Sequence, residues 1–201
     1  MNRQLIILGA GGHGRVCAEV AELNGYQKVI FLDDKPVPGL PVAGTLEKIP
    51  EYIDNSSFFV AIGNNRIRKE YIELINKLGG DLITLIHPHS FVSKTASFGK
   101  GSVIMAGAVV QADAYIGSGV IINTCSSVDH DCHIGDYSHV AVGAHLAGAV
   151  LIGESTFIGA SCAISNNLSI TGGCIIGAGT AIIHDIKTPG TYVGVPARRV
   201  K

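Results

Sequence analysis

From Val92 onward, every sixth residue of this chain is apolar. The series runs Val92, Phe98, Ile104, Val110, Ile116, Ile122, Val128, Ile134, Val140, Leu146, Ile152, Ile158, Ile164, Ile170, Ile176 and Ile182. Hydrophobic residues make up 47% of the sequence, so sixteen such positions in one frame arise by chance on the order of a few times in a million. Helices repeat every ~3.6 residues and strands every two, so neither accounts for a period of six. A coil with three short flat sides does, each hexapeptide supplying one side and one corner. The periodic aliphatics then point inward and stack from coil to coil. The fifth position of each hexapeptide is mostly small (Ser102, Ala108, Ala114, Ser126, Cys132, Ser138, Ala144, Cys162, Cys174), as tight interior corners require. Glycines that follow the aliphatics (Gly99, Gly117, Gly135, Gly153, Gly159, Gly177) are expected to relax the turns.

Residues 1–87 follow a different rule. LIIL (5–8) is a short apolar run that leads into the glycine-rich GAGGHG, and Val16, Val20 and Leu23 mark one helical face ending at Gly25. KVIFLDD is a second strand, and a Pro-rich loop and a short helix around 45–53 follow it. FFVAIG is a third strand. Ile67, Tyr71, Leu74 and Leu78 recur at helical spacing, and DLITLI is a fourth strand that stops near Pro88. Alternating β and α segments predict a small parallel sheet with helices on its faces. The expected organisation is therefore a Rossmann-like α/β domain over 1–87 and a coiled parallel β domain with a C-terminal tail over 88–201.

Composition excludes several classes. Charged residues are 15% and the formal net charge is −1, which gives no reason to expect nucleic acid or an acidic membrane as partner. No stretch approaches the ~18 apolar residues of a membrane span. Five cysteines with no CxxC pair predict reduced thiols and a cytoplasmic chain. Cys132, Cys162 and Cys174 fall in the small interior slot and are expected to pack there rather than react.

The stretch SVDHDCHIGDYSHVAVGAH carries His130, His133, His139 and His145. None sits at an inward position of the frame, so each is a general base, a metal ligand or surface decoration. His133, His139 and His145 fall on three successive sides of one coil, so one chain cannot converge them on one ion; a subunit interface could, but the acids and longer loop of such zinc sites are missing, and no metal is expected. His130 differs. Eighteen residues on, beside it on the next coil, stands Gly148. A missing side chain there leaves room for a ligand and exposes an N–H that could stabilise an oxyanion while the imidazole takes a proton. Asp131 follows directly and could fix the tautomer of His130.

Gly9, Gly11 and Gly14 form a GxGxxG after a strand and before a helix, with Asp33 and Asp34 about twenty residues on. That pattern alone would suggest a dinucleotide enzyme. The domain is short for that fold, and the loop carries His13 where a phosphate or sugar would sit. The expected ligand is nucleotide-like, held on the helix N-terminus, with Asp33 and Asp34 as acceptors.

GAGGHGRV, FLDD, VAIGNNRIRK, IHP, the hexapeptides, NTCSSVDHDCHIGDYSHVAVGAHLAG and the tail YVGVPARR occur in this order along nearly the whole chain. Together they resemble the NeuD/PglD-like sugar acetyltransferase family, which comprises sialic-acid O-acetyltransferases and UDP-4-amino-sugar N-acetyltransferases. The resemblance implies that the coiled domain is a left-handed β-helix, a hand that departs from the usual crossover rule. It implies acetyl-CoA as co-substrate and a UDP-linked 4-amino-4,6-dideoxy sugar as acceptor. His130 takes the place of the family's general base, with Asp131 where a compared member carries a Glu, one methylene longer. His139 matches a residue at the thioester. Ala160 and Ala178 fall along the CoA arm, where a compared member has Ile and Gly, with Asn123 as their neighbour, and the thioester carbonyl is expected near the N–H of Gly148. Gly11, Gly12, His13, Asp33, Asp34 and Gly63 match the nucleotide-sugar positions. The resemblance also implies a homotrimer with CoA between adjacent β-helices. Two rivals stay open: O-acetylation of a sialic acid, and a non-catalytic sugar-nucleotide-binding protein that would tolerate loss of His130.

Overall fold

The computed structural model describes residues 4–35 and 37–201, and the chain divides into two compact units between Pro88 and His89. The first unit is a parallel α/β sheet. Its elements are β1 (Gln4–Leu8), α1 (Gly12–Leu23), β2 (Val29–Leu32), β3 (Val42–Gly44), the short α2 (Ile49–Tyr52), β4 (Ser56–Val60), α3 (Asn65–Lys77) and β5 (Asp81–Leu82). The strands are ordered β3-β2-β1-β4-β5 and every pairing is parallel. The central pair is apolar and buried throughout Leu5–Leu8 and Phe58–Val60, as a sheet covered on both faces requires. From β1 the chain moves through α1 to β2 on one side. From β4 it moves through α3 to β5 on the other. The order therefore reverses between β1 and β4, which opens a crevice at their C-terminal ends.

Four details differ from the sequence expectation. The segment after the prolines forms β3, an edge strand that Pro41 had disguised as loop. DLITLI breaks into two two-residue strands, Asp81–Leu82 and Leu85–Ile86. Helix α1 buries Gly14, Cys17, Val20 and Ala21, whereas Val16 and Leu23 are exposed. Helix α3 buries Arg68, Ile72 and Ile75 and leaves Leu74 and Leu78 exposed. In both helices the buried stripe lies about one residue from the aliphatic pattern. The displacement arises because a cysteine, a glycine and an arginine occupy inward positions.

The second unit is a left-handed parallel β-helix. Two-residue strands, from Phe91–Val92 to Ala181–Ile182, repeat every six residues. Each pairs in parallel with the strand eighteen residues away, as in Tyr115–Ile116 with His133–Ile134. The periodic aliphatics from Ile104 to Ile182 are all buried, and Val92 and Phe98 in the first coil are half-buried. The small fifth-position residues are buried too, and their polar atoms are used. Ser102 Oγ donates to Gly117 O (2.7 Å), Ser138 Oγ to Gly153 O (3.0 Å) and Cys162 Sγ to Gly177 O (3.0 Å). Those bonds satisfy interior carbonyls that would otherwise be costly.

The turn glycines work differently from the expectation. The left-handed corner is the fourth hexapeptide position, at 101, 107 and every sixth residue to 179, and all fourteen have positive φ. Eight of these are not glycine, among them Asp113, Cys125, Asp131 and Ala149. The glycines after the aliphatics serve close approach between coils. A Cβ on Gly153 would lie 2.2 Å from Gly172 N, and one on Gly117 would lie 2.7 Å from Asp136 N. A hairpin of Thr191–Val193 and Arg198–Arg199 closes the C-terminal end, its first strand parallel to Ile175–Ile176. No helix among the described residues is long and apolar enough to cross a membrane.

Candidate active site

His130 leaves the strand Ser127–Val128, and its backbone is held by both neighbouring coils. Ala149 N–H donates to His130 O (2.8 Å), and Asp131 N–H donates to Ala112 O (3.0 Å). Asp131 occupies the left-handed corner, with φ 58°, a conformation that Asp tolerates better than most residues. From there its Oδ2 lies 2.7 Å from His130 Nδ1. Asp129 Oδ1 accepts the His130 backbone N–H at 2.7 Å. The hydrogen bond to Asp131 is the main influence that raises the His130 pKa above its ordinary value, and the charges of Asp129 and Asp131 add to it. With Nδ1–H donated to the carboxylate, Nε2 carries the lone pair, so this ring is oriented as a proton acceptor.

The imidazole lies directly over Gly148. A Cβ there would fall 2.5 Å from both Cε1 and Nε2, so only glycine accommodates this ring position. The space that the missing side chain leaves is filled by the imidazole itself rather than left open for a ligand.

A second group stands elsewhere on the prism. Asn123 Oδ1 accepts the Thr124 N–H (2.8 Å), so its amide nitrogen faces His139 Nε2 at 3.1 Å. The His139 ring meets Phe157 edge-on at a centroid distance of 5.1 Å. Ala160 and Ala178 stack on the same corner as Thr124, linked by Gly179 N–H to Ala160 O (2.8 Å). This corner follows the sheet that carries His139. His130, Asp131 and Gly148 occupy the next corner, across the face built from Ser127–Val128, His145–Leu146 and their neighbours. One chain therefore assembles two clusters and does not bring them together.

The other histidines have local partners. His133 stacks on Tyr115 with centroids 4.5 Å apart, and His145 Nδ1 lies 2.9 Å from Ser127 Oγ. His133, His139 and His145 lie in three different sheets. Among the described residues no group of three or more His, Cys, Asp or Glu side chains is placed to hold one metal ion.

In the first unit the glycine loop lies at the crevice between β1 and β4. A Cβ on Gly14 would meet Gly9 O at 2.0 Å, so the loop can fold onto the helix start only with glycine there. Gly11, Gly12 and Gly63 are exposed with open space around them. Asp33 spends its carboxylate on backbone, accepting from Ala10 N (2.7 Å) and Lys35 N (2.8 Å), and so braces the loop. Asp34 Oδ1 accepts from Leu46 N (3.1 Å), and the residue lines two adjoining clefts of about 380 and 480 Å³. Tyr71 lines the larger one. Partial burial is the leading reason that its phenol is pushed up, followed by the charge of Asp34. His13 is half-buried against Cys17, whose Sγ lies 3.7 Å from Nε2. Burial first, and the nearby Arg68 second, push the His13 pKa down to about 4, so the ring is neutral at pH 7. Sequence reasoning missed Arg68. A polar residue on an apparently solvated helix face gave no signal of its burial.

A Rossmann-like sheet followed by a left-handed hexapeptide β-helix with a His–Asp corner defines a two-domain protein of the hexapeptide sugar-acetyltransferase class. The comparisons agree with that class. The PglD N-terminal domain model matches residues 4–75. The acetyltransferase domain of PglB from Neisseria gonorrhoeae FA1090 is 43% identical, with a TM-score of 0.94 over 99% of this chain and 100% of that one. The PerB structure from Caulobacter crescentus, in complex with CoA and GDP-perosamine, is 35% identical, with a TM-score of 0.94 over 98% of this chain and 97% of that one. The UDP-N-acetylbacillosamine N-acetyltransferase of Bacillus subtilis (strain 168) is 39% identical over 114 aligned residues, 52% of this chain and 52% of the relative. The chain thus aligns with about half the length of the curated relatives it matches. It belongs to the NeuD/PglD-like sugar acetyltransferase family.

Proposed function

We propose that the protein transfers the acetyl group of acetyl-CoA to the 4-amine of a UDP-linked 4-amino-4,6-dideoxy sugar, with His130 as general base. The observation that carries this reading is the imidazole held at 2.7 Å by Asp131 with its free nitrogen over Gly148. The amine nitrogen attacks the thioester carbonyl carbon while His130 Nε2 takes an amine proton. The Gly148 N–H is the donor for the oxyanion, and collapse of the tetrahedral centre expels the CoA thiolate, which takes up the proton. No covalent enzyme intermediate is needed. Cys132, Cys162 and Cys174 are buried, with thiols pushed up by burial, and are poor nucleophiles.

The nucleotide sugar is assigned to the first unit, with its phosphates at the start of α1 beside Gly11, Gly12, His13 and Gly63 and its nucleoside toward Asp34. Asn123, His139, Ala160 and Ala178 are assigned to the CoA arm. Because the base and that arm lie at opposite edges of one face, the complete site is assigned to adjacent copies of a homotrimer. A related structure is described in complex with acetyl coenzyme A, which supports the donor. UDP-N-acetylbacillosamine in one relative's name and GDP-perosamine in others support a nucleotide 4-amino sugar.

The test is CoA release from acetyl-CoA with UDP-4-amino-4,6-dideoxy sugar, its GDP-perosamine counterpart and sialic acid in parallel. Release with the UDP sugar, lost in His130→Ala, supports the reading. Release with only the GDP sugar or only sialic acid overturns the acceptor. Full activity of folded His130→Ala overturns the base.

A further inference from the structure

Arg68 heads the fully buried side chains when these are ranked by size, an uncommon place for a guanidinium. It rises from the first turns of α3 and turns back to the loop that leaves β4. There Nη1 donates to the carbonyls of Ile62 (2.9 Å) and Gly63 (3.2 Å), and Nη2 donates to Asn65 Oδ1 (2.8 Å). A trans peptide points its N–H opposite to its carbonyl. Drawing the Ile62 and Gly63 carbonyls inward therefore turns the N–H groups of Gly63 and Asn64 outward. Both residues are exposed, and nothing stands where a Gly63 side chain would be.

The glycine loop lies directly alongside. Ala61 N–H donates to Leu8 O (2.8 Å), and a Cβ on Gly9 would sit 2.9 Å from Ala61 O. That loop ends in the α1 N-terminus, which has no side-chain cap and no acidic residue in its first turn. Two sets of outward N–H groups thus flank the reversal point of the sheet, and one of them is set by a buried cation. Donors arranged this way complement an extended anion better than a single helix end does.

We propose that Arg68 is a positioning residue for the nucleotide-sugar site. It fixes the Gly63 and Asn64 N–H groups as the second wall of a diphosphate cradle whose first wall is the start of α1. The inference rests on the acceptor reading given above. Arg68 acts through the peptides it holds and does not touch the ligand. Its planar fork holds both consecutive carbonyls with Nη1 and Asn65 Oδ1 with Nη2, a divergent geometry that a single ammonium cannot copy.

The experiment is calorimetric titration of UDP, GDP and acetyl-CoA into the full chain as wild type, Arg68→Lys and Arg68→Met, with amide NMR of Gly63 and Asn64. Both variants are expected to lose about ten- to a hundredfold in UDP affinity, while acetyl-CoA affinity stays within about twofold. UDP should shift the Gly63 and Asn64 amide resonances in wild type and leave them unmoved in Arg68→Lys. A folded Arg68→Lys protein with wild-type UDP affinity overturns the proposal, as do wild-type Gly63 and Asn64 amides indifferent to saturating UDP. Should the Arg68 variants not fold, Asn65→Ala removes one acceptor and leaves the cation in place. Weaker UDP binding supports the proposal there, and unchanged binding overturns it. A wild type that binds acetyl-CoA but neither UDP nor GDP overturns the acceptor reading itself.

Discussion

At the scale of single residues, the His130–Asp131 pair makes opposite demands on neighbouring positions. Asp131 must adopt a left-handed corner, and Gly148 must give up its side chain. Replacing His130 by Ala should cost roughly 10²–10⁴ in rate. The pH dependence has a definite sign. Asp131 raises the His130 pKa, so the neutral, proton-accepting form is lost as pH falls through that raised value. In a pH–rate series the acid limb should therefore move to lower pH in Asp131→Asn, with a reduced plateau. Gly148→Ala should displace the ring and lower kcat by at least an order of magnitude, on the scale of general-base loss, with little change in thermal midpoint. A fully active Gly148→Ala enzyme would show that the ring works from another position. The outward placement of His130 and its contact with Asp131 were legible in the sequence because the hexapeptide frame told outward from inward positions. Arg68 was not, since burial of a charge is decided by carbonyls of a loop that no local pattern announces.

At the scale of elements, the β-helix was readable to the residue and the α/β unit only in outline. A six-residue period with identical environments at every repeat leaves one solution. A helix of twelve or thirteen residues has one stripe, and a single inward Cys17 or Arg68 displaces it. The division of labour among glycines was also hidden, because tight corners and close coil contact both favour small residues. These roles separate experimentally. Ala149 holds φ 57°, a conformation costly for any L-residue with a side chain, so Ala149→Gly should stabilise the protein by about 0.5–1 kcal/mol. Gly153→Ala should destabilise it by more than about 1 kcal/mol, because its Cβ would strike Gly172 N. Urea denaturation of the two variants checks both signs.

At the scale of the whole molecule, the separation of the two β-helix clusters makes a prediction about mixtures. If base and CoA arm come from adjacent copies, inactive His130→Ala and a CoA-arm variant such as Asn123→Ala/His139→Ala should complement each other. In randomly mixed trimers at equal ratio, about a quarter of the interfaces would pair an intact base with an intact arm. Recovery near that fraction supports the composite site, and no recovery places the whole site in one copy. The eighteen-residue coil has a further consequence for how such a chain can change length. Adding one hexapeptide after Ile134 would leave every aliphatic facing inward, and the core would tolerate it. The same insertion would turn all later residues by a third of a turn and carry Gly148 out from beneath His130. The interior counts in sixes and the surface in eighteens, so an insertion can preserve the fold completely while erasing the chemistry.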